Sequence, residues 1–400
     1  MIPLTYLPAF VRVIFRGMPG VFRHRHQLVF CWLILMQAVS PGPKTLKGIS
    51  GFTSPYVREW RLRRLLNASY WSLQLLLTWF AHEAMATFPA PEDGVLYLIG
   101  DGSHKNKRGK GNPLVQSARK SKYDPVFLGI KFVVLMAAWD VYRIPVGFQV
   151  ILPKGHPDYK KENLLFQEMV AAFDPPKWAK RVIVCGDCAY GSRANMKMVQ
   201  ARDKADPQRQ WGFVFALAKT WKTEEGKKVK DLVNHLPRKH YKKTWIPKLP
   251  KERGRKTFWI YGKKIRLDGI GDVTVVLSKK GRNVGPKNTK LLVTNLADLT
   301  PRQILSVYQR RWSIELLFWE LKSGLGLGEH QVTKERDRIE KSIGIAVISY
   351  LFLLKARHKD IHRGKSWSIF QLQNNLKVEL MTNQVEHNMR LKLKNLSEAS

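Results

Sequence analysis

The stretch Arg181-Val182-Ile183-Val184-Cys185-Gly186-Asp187 decides how this chain folds. Its apolar, β-branched run is too short for a helix and reads as a buried strand that ends at an acid. The same pattern occurs upstream, where Val95-Leu96-Tyr97-Leu98-Ile99-Gly100-Asp101 also passes from apolar residues through glycine to aspartate. Between the two lie β-rich runs at Phe127–Ala138 and Ile144–Leu152, and a helix fits Tyr159–Phe173. Beyond Asp187 the sequence predicts a helix from Ser192 and a further strand at Gly212–Ala218. Three strands followed by alternating helix and strand predict a mixed α/β sheet. The next regular helix should open at Thr300-Pro301, a capping residue followed by proline at the first helical position.

That order of elements is the ribonuclease-H order, and residues 219–290 interrupt it with short β-rich pieces such as Thr257–Tyr261 and Asp272–Leu277. The interruption holds 22 Lys/Arg and 6 Asp/Glu, a net +16 in 72 residues, together with Trp221, Trp245 and Trp259. Cations interleaved with large aromatics suit backbone neutralisation and base stacking on nucleic acid; solvated charge around a local tryptophan core is the simpler alternative. The expected organisation is a helical N-terminal DNA-binding region over 1–90, a first part of the α/β core over 91–218, and a basic β insertion over 219–295. Core completion follows over 296–350, and a helical C-terminal region over 351–400. In the N-terminal region Ser54-Pro55 should cap a helix running to Leu66 that carries Arg58, Arg61, Arg63 and Arg64. A short helix, a turn and a basic helix suit helix-turn-helix contact with DNA, through Arg58, Arg61 and Arg64, and a small bundle with a solvated arginine face is the alternative.

Composition narrows the partners. The chain has 400 residues, 44% hydrophobic and 25% charged, which is globular rather than disordered. Sixty-nine Lys+Arg against 31 Asp+Glu leave a formal +38, so a polyanion is the expected partner. The longest apolar runs, Leu28–Met36 and Ile343–Leu354, fall short of the ~20 residues that span a bilayer. Pro3, Pro8, Arg12 and Arg16 interrupt what would be the apolar block of a signal peptide. Three cysteines make no disulfide framework, and a reducing compartment is expected.

The chemistry concentrates in Tyr308-Gln309-Arg310-Arg311-Trp312-Ser313-Ile314-Glu315-Leu316-Leu317-Phe318-Trp319-Glu320-Leu321-Lys322. On one helix at ~100° per residue, Arg311, Glu315 and Lys322 fall at about 300°, 340° and 320° from Tyr308, a stripe of about 60°. Most of the remaining girth is apolar, including Trp312 and Trp319, so the helix should be buried with its stripe facing a cleft. The alternative is an internal Glu315–Arg311 ion pair. Asp101 and Asp187 at strand ends, with Glu315 from the helix, would make an all-oxygen site suited to Mg²⁺ or Mn²⁺. Two such ions can activate water or a 3′-hydroxyl and stabilise a leaving oxygen in phosphodiester exchange.

Tyr308-x2-Arg311-x3-Glu315-x6-Lys322 resembles the Tyr-Arg-Glu-Lys signature of the DDE transposases of bacterial insertion sequences, in the cut-and-paste branch with a β insertion. Asp101-Gly102-Ser103 looks like that family's first-Asp motif and Asp187-Cys188-Ala189-Tyr190 like its second, all in family order. The resemblance spans roughly residues 90–350. It implies a ribonuclease-H-like core in which Asp101, Asp187 and Glu315 hold two divalent metals, while Tyr308, Arg311 and Lys322 contact the phosphates of the cut end. It also implies binding to terminal inverted repeats of double-stranded DNA, cleavage and strand transfer by a homodimer on DNA. It further implies no membrane and no small-molecule substrate, and a setting in the bacterial cytoplasm at the nucleoid. Members of this branch pass through hairpinned ends with a base stacked on a tryptophan of the insertion, for which Trp221, Trp245 and Trp259 are candidates. A catalytically inactive DNA-binding derivative and another ribonuclease-H-fold nuclease are the competing functions.

Three further signals are weaker. Cys185-Gly186-Asp187-Cys188 has Cys-x-x-Cys spacing, but its aspartate belongs to the acid set and no Cys/His group completes a zinc site. His104, followed by Lys105, Lys107, Arg108 and Lys110, could touch substrate beside Asp101, with Lys105 and Lys107 as DNA contacts; a mobile basic loop is the alternative. His330 suits a structural role at the end of the signature helix.

Overall fold

The computed structural model describes residues 4–53, 57–106, 111–118, 126–247, 255–330, 334–363 and 365–399. Five helices come first: α1 (Ala9–Ile14), α2 (His24–Val39), α3 (Leu46–Ser50), α4 (Glu59–Asn67) and α5 (Leu73–Thr87). Then follow β1 (Val95–Asn106), β2 (Gln116–Ala118), β3 (Phe127–Trp139), β4 (Tyr142–Ile151), α6 (Glu162–Ala172), β5 (Arg181–Gly186), α7 (Arg193–Ala205) and β6 (Gln210–Ala216). The former insertion region holds α8 (Val229–His235), β7 (Lys242–Pro247), β8 (Arg255–Leu267) and β9 (Gly271–Lys279), before β10 (Lys290–Thr294). The chain closes with α9 (Pro301–Gln309), α10 (Trp312–Gly324), α11 (Arg336–Ala356) and α12 (Ile369–Ala399).

The order β4-β3-β1-β5-β6 is the expected ribonuclease-H arrangement, with β1, β5 and β6 parallel and β3 antiparallel to β1. The basic segment does not form a separate layer. β7, β8 and β9 continue the same sheet through β10, which pairs antiparallel with both β6 and β9. Extending an existing sheet covers the edge of β10 with a ladder rather than leaving it open. β10 itself, inside the expected 219–295 insertion, is therefore a strand of the shared sheet.

In the N-terminal region α2 is buried from Val29 to Val39 and packs against α11 and α12, and α5 packs on α11 and β4. An all-round apolar helix such as α2 gains stability only inside a core, each fully buried large side chain contributing roughly 1.5–3 kcal/mol. The basic helix begins at Glu59, and the expected Ser54-Pro55 cap lies outside the described residues. By contrast, Thr300 caps α9 as expected, in a reciprocal capping box with Gln303 and with Pro301 at the first position. No helix among the described residues is long and apolar enough to cross a membrane.

The glycines before the two aspartates have a packing reason. A Cβ on Gly100 would lie 2.2 Å from the buried Phe166 ring of α6, and one on Gly186 would lie 2.6 Å from Tyr190 Cβ. Gly100→Ala should therefore cost about 1–3 kcal/mol, the usual penalty for overpacking a filled core. Urea unfolding of the variant measures it; an unchanged midpoint would mean that Phe166 can give way.

Candidate active site

β1 and β5 run parallel with Val95 opposite Arg181 and Ile99 opposite Cys185. Two residues beyond that last pair come Asp101, still within β1, and Asp187, the first residue after β5, so the acids follow equivalent positions of neighbouring strands. Side chains alternate across the sheet. Since Gly100 and Gly102 face α6, at Phe166 and Glu162, Asp101 points to the opposite face, where Arg311 meets it. β1 does not stop at Asp101, as the sequence suggested; it continues against β3 to Asn106, and only its pairing with β5 ends before the acid.

The third acid arrives differently from expectation. Residues 308–322 are not one helix: α9 ends at Gln309 and α10 starts at Trp312. At the junction the amides of Arg310, Arg311, Ser313 and Ile314 donate to carbonyls three residues back, a tightened turn in place of the four-residue ladder. Arg310 anchors the break, with its Nη1 on the Asp140 carbonyl and its guanidinium 4.6 Å from the centre of the Tyr97 ring.

Arg311, nearly buried, then bridges two of the acids. Its Nη1 donates to Asp101 Oδ2 at 2.9 Å and its Nη2 to Glu315 Oε1 at 2.6 Å. The anticipated Glu315–Arg311 pair is thus present and is one half of a wider bridge. Asp187 Oδ1 accepts from the Ala189 amide at 2.7 Å, which holds the turn that follows β5. Tyr190 closes that turn from below, its hydroxyl donating to Glu162 at 2.5 Å.

The electrostatics agree with the geometry. Burial pushes the Asp101 carboxyl up to about 6; Asp187 and Glu315 push the same way, against Arg311 and the Gly102 amide. Burial also pulls the Lys290 ammonium down, helped by Arg311 and Lys280, while Asp187 and Glu315 oppose it. Lys290, which the sequence did not single out, stands at the start of β10 with its Nζ 4.9 Å from the centre of the Tyr308 ring. Its only sequence signal is that it ends a basic run just before an apolar strand.

The donor set is all carboxylate oxygen, which suits a hard divalent cation. Among the described residues no three such side chains already close on one point, and Arg311 holds one oxygen each of Asp101 and Glu315. A guanidinium lodged between two carboxylates marks a position that favours positive charge. Its Nε is buried without a hydrogen-bond partner, so Arg311 is not fully satisfied where it lies.

The other sequence-chosen residues divide. Tyr308 is buried beside Arg311, and Lys322 lies two turns beyond Glu315 on α10. Trp312 and Trp319 are not buried as expected: they are 51% and 49% exposed, because the α10 face that carries Glu315 opens to solvent. Arg58, Arg61 and Arg64 form an exposed basic face on and beside α4, while Leu62, Leu65 and Leu66 turn inward. Trp221, Trp245 and Trp259 do not gather into one cluster: each lies beside a different arginine, Arg193, Arg302 and Arg282 respectively. Of the three, Trp245 on the outermost strand is 40% exposed.

Lys105 is not a surface contact. It is buried, with Nζ donating to the His330 carbonyl at 2.7 Å and to Ser342 Oγ at 2.9 Å, because the pleat puts it on the same face as Asp101, under α11. Lys107 lies outside the described residues. Cys185 is buried, Cys188 is exposed, and both are free thiols, so only the first packs at the strand end. A cavity of about 520 Å³ lined by Lys180, Arg181, Gln303 and Arg310 sits at the opposite ends of β1 and β5 from the acids and is not part of this site.

His330 has the expected structural role. It is buried and linked to Gln37 of α2 at 3.1 Å, while its Nδ1 has no partner. Burial, with Lys105 nearby, pulls it from the usual 6.5 to about 3. A histidine kept neutral by the fold adds stability fully present above pH 6.5 and lost as pH falls toward 3. His330→Gln should accordingly lose less stability than the wild type between pH 7 and pH 5, measured by urea unfolding at each pH. Equal losses would mean that other groups govern acid sensitivity.

The sheet order, with acids on two adjacent strands and a third presented by a helix across an arginine, defines a ribonuclease-H-like α/β protein. Residues 103–352 match the family model described as the transposase DDE domain, and the chain belongs to that family. The match includes Asp187, Glu315 and the whole Tyr308–Lys322 signature and begins two residues after Asp101. Among solved structures, the chain is similar to piggyBac transposase in a synaptic complex with hairpin DNA, at 13% identity and a TM-score of 0.50, covering 97% of this chain and 80% of that one. At that identity the likeness concerns the fold alone. Comparison with curated proteins returns no match.

Proposed function

We propose that this transposase binds the terminal inverted repeats of a bacterial insertion sequence and catalyses cut-and-paste transposition, cleaving the element's ends and joining them to target DNA. The observation that carries the reading is the Arg311 bridge between Asp101 and Glu315, with Asp187 at the equivalent position on the next strand. Asp101, Asp187 and Glu315 would hold two divalent cations. Such ions, Mg²⁺ or Mn²⁺, supply an activated water or 3′-hydroxyl and stabilise the leaving oxygen when bound.

The chain's own groups supply the rest. Arg311 keeps the acids from repelling one another while the cleft is empty of substrate. Its planar fork can then turn to a phosphate, with Lys322 as a second point charge and Tyr308 fixing the ring side of the cleft. The exposed face of α4 offers Arg58, Arg61 and Arg64 to duplex backbone, and the basic strands β7–β9 extend the positive surface along the same sheet. Trp245 is the most open of the three tryptophans for stacking on an unpaired base. Two ends must be processed together, so the working form is a homodimer on DNA, acting at the nucleoid in the cytoplasm.

The test uses a donor plasmid carrying the reading frame's flanking repeats, incubated with purified protein. Nicks at the repeat boundaries that require Mg²⁺ or Mn²⁺, followed by joining of the released ends to a target plasmid, are expected. Metal-dependent cutting with no joining would leave a ribonuclease-H-fold nuclease. Binding with no cutting would leave an inactive DNA-binding derivative.

A further inference from the structure

The cavity of about 520 Å³ lies on the same face of the sheet as Asp101, toward the other end of β1 and β5. Tyr97 lines it, four residues before Asp101 and on the same side of β1, about 13 Å away at ~3.3 Å per residue. Val95, Ile183 and Gln210 of β1, β5 and β6 form its floor, and α9 roofs it with Ser306 and Val307. Arg310 borders the cavity, while Arg311, the next residue, bridges the acids. The space is therefore separate from the catalytic cleft. Its volume falls among those of small-molecule sites, roughly 300–1,000 Å³.

Its charged lining favours an anion. Lys180, Arg181 and Arg310 border it against one carboxylate, Asp93, whose Oδ1 already accepts the Val95 amide at 3.0 Å. Arg181 is held by Asp298 at 2.9 Å, but Lys180 and Arg310 make no ion pair among the described residues. Arg310 spends only Nη1 on the Asp140 carbonyl, which leaves its other N–H groups to donate elsewhere. Tyr97 is only 8% exposed, and its hydroxyl makes no hydrogen bond among the described residues. A buried phenol in that condition calls for a partner from outside the chain, water or ligand. The backbone fixes Lys180 at the rim: the Lys180 and Arg181 amides donate to the Gly94 carbonyl at 2.9 and 3.2 Å. Gly94 has φ +62°, and a Cβ there would lie 3.2 Å from the Lys180 stem, so the lysine's methylenes cross a glycine.

The remaining lining shapes the rest of the ligand. Val95, Ile183, Leu299 and Val307 offer apolar walls to a flat organic body, and Gln210 and Ser306 can hydrogen-bond its polar edge. A guanidinium and an ammonium are the pair that takes a phosphate, one as a fork and the other as a point charge. We propose that this cavity binds a free nucleoside phosphate, its phosphate taken by Lys180 and Arg310 and its base and sugar by the apolar walls. The site stands apart from the transposition reading, since none of its contacts uses the three acids.

Calorimetric titration of the full-length protein with AMP, without metal or DNA, tests it. One saturable site per chain is expected. Lys180→Glu, at an exposed side chain, should weaken AMP binding by about tenfold or more with an unchanged circular dichroism spectrum. Ser306→Phe, which fills the cavity from α9, should abolish binding. Lys197→Glu makes the same charge change on the exposed side of α7 and should stay within about twofold of the wild type. No saturable AMP binding, or equal weakening by Lys180→Glu and Lys197→Glu, would overturn the proposal by leaving only the general attraction of a cationic surface. Inorganic phosphate binding as tightly as AMP would reduce the site to a bare anion hole and overturn it too. A gel shift separates free nucleotide from DNA backbone: Lys180→Glu should lower affinity for duplex no more than Lys197→Glu does. A larger loss would give the cavity to DNA and overturn the assignment. The titration involves no cleavage, so a protein that binds AMP and cuts nothing fails only the functional reading.

Discussion

Asp187→Asn should lower DNA cleavage by about a thousandfold while leaving binding to the terminal DNA intact. The substitution is close to isosteric, and an asparagine carbonyl can still accept the Ala189 amide that Asp187 Oδ1 accepts at 2.7 Å. The turn after β5 is therefore preserved and what disappears is charge. If Asp187 belongs to the proposed cation-holding set, removing its charge forfeits several kcal/mol of transition-state stabilisation, and ~4 kcal/mol corresponds to ~10³ in rate. The proposed affinity for DNA would come from Lys and Arg on phosphate, which the substitution does not touch. A Mg²⁺ cleavage assay and a gel shift on the same fragment measure the two quantities. Unchanged cleavage would remove Asp187 from the site, and loss of both activities would give it a folding role instead.

The second large effect is on stability. Glu320 is fully buried and accepts from Arg143 Nη2 with both oxygens at 3.3 Å, from the Tyr350 hydroxyl at 3.4 Å and from the Ile369 amide at 3.2 Å. It thus ties α10 to β4, α11 and the first residue of α12, where a carboxylate also suits the positive end of a helix. Arg143 is itself held over the Trp367 ring, 4.0 Å from its centre, and cannot follow its partner into water. Glu320→Ala leaves that guanidinium buried and uncompensated, a change that costs about 3–5 kcal/mol. Urea unfolding should show it directly. Glu315→Ala, a truncation at a side chain 41% exposed whose arginine keeps Asp101, should cost much less. Equal losses for the two would mean that the Arg143 pair adds little to the fold.

Much of the fold was legible because it rests on local patterns. The apolar runs ending in Gly-Asp, the Thr300-Pro301 cap and the Ser192 cap of α7 all depend on neighbours within a few residues. The break at Arg310–Arg311 was not legible, because its cause is distant: Arg310 is anchored by Asp140 and Tyr97, far away in sequence. Lys105 was misread for a similar reason. In a basic loop pattern it resembles a DNA contact, but β1 continues to Asn106 and the pleat carries it beneath α11. Trp312 and Trp319 read as core because hydrophobicity shows how readily a side chain would be buried, not whether anything covers it.

The amino-acid sequence by itself determined the strands, the acids and their order, and the cationic character, since each follows from residue type and short-range periodicity. Only the tertiary structure decided that Asp101 and Asp187 follow the same parallel strand pair, that Arg311 links the first acid to Glu315, and that the basic strands lengthen the core sheet. Register and bridging depend on which distant segments pair, and that choice is made by the packing of the whole chain rather than by any stretch of it.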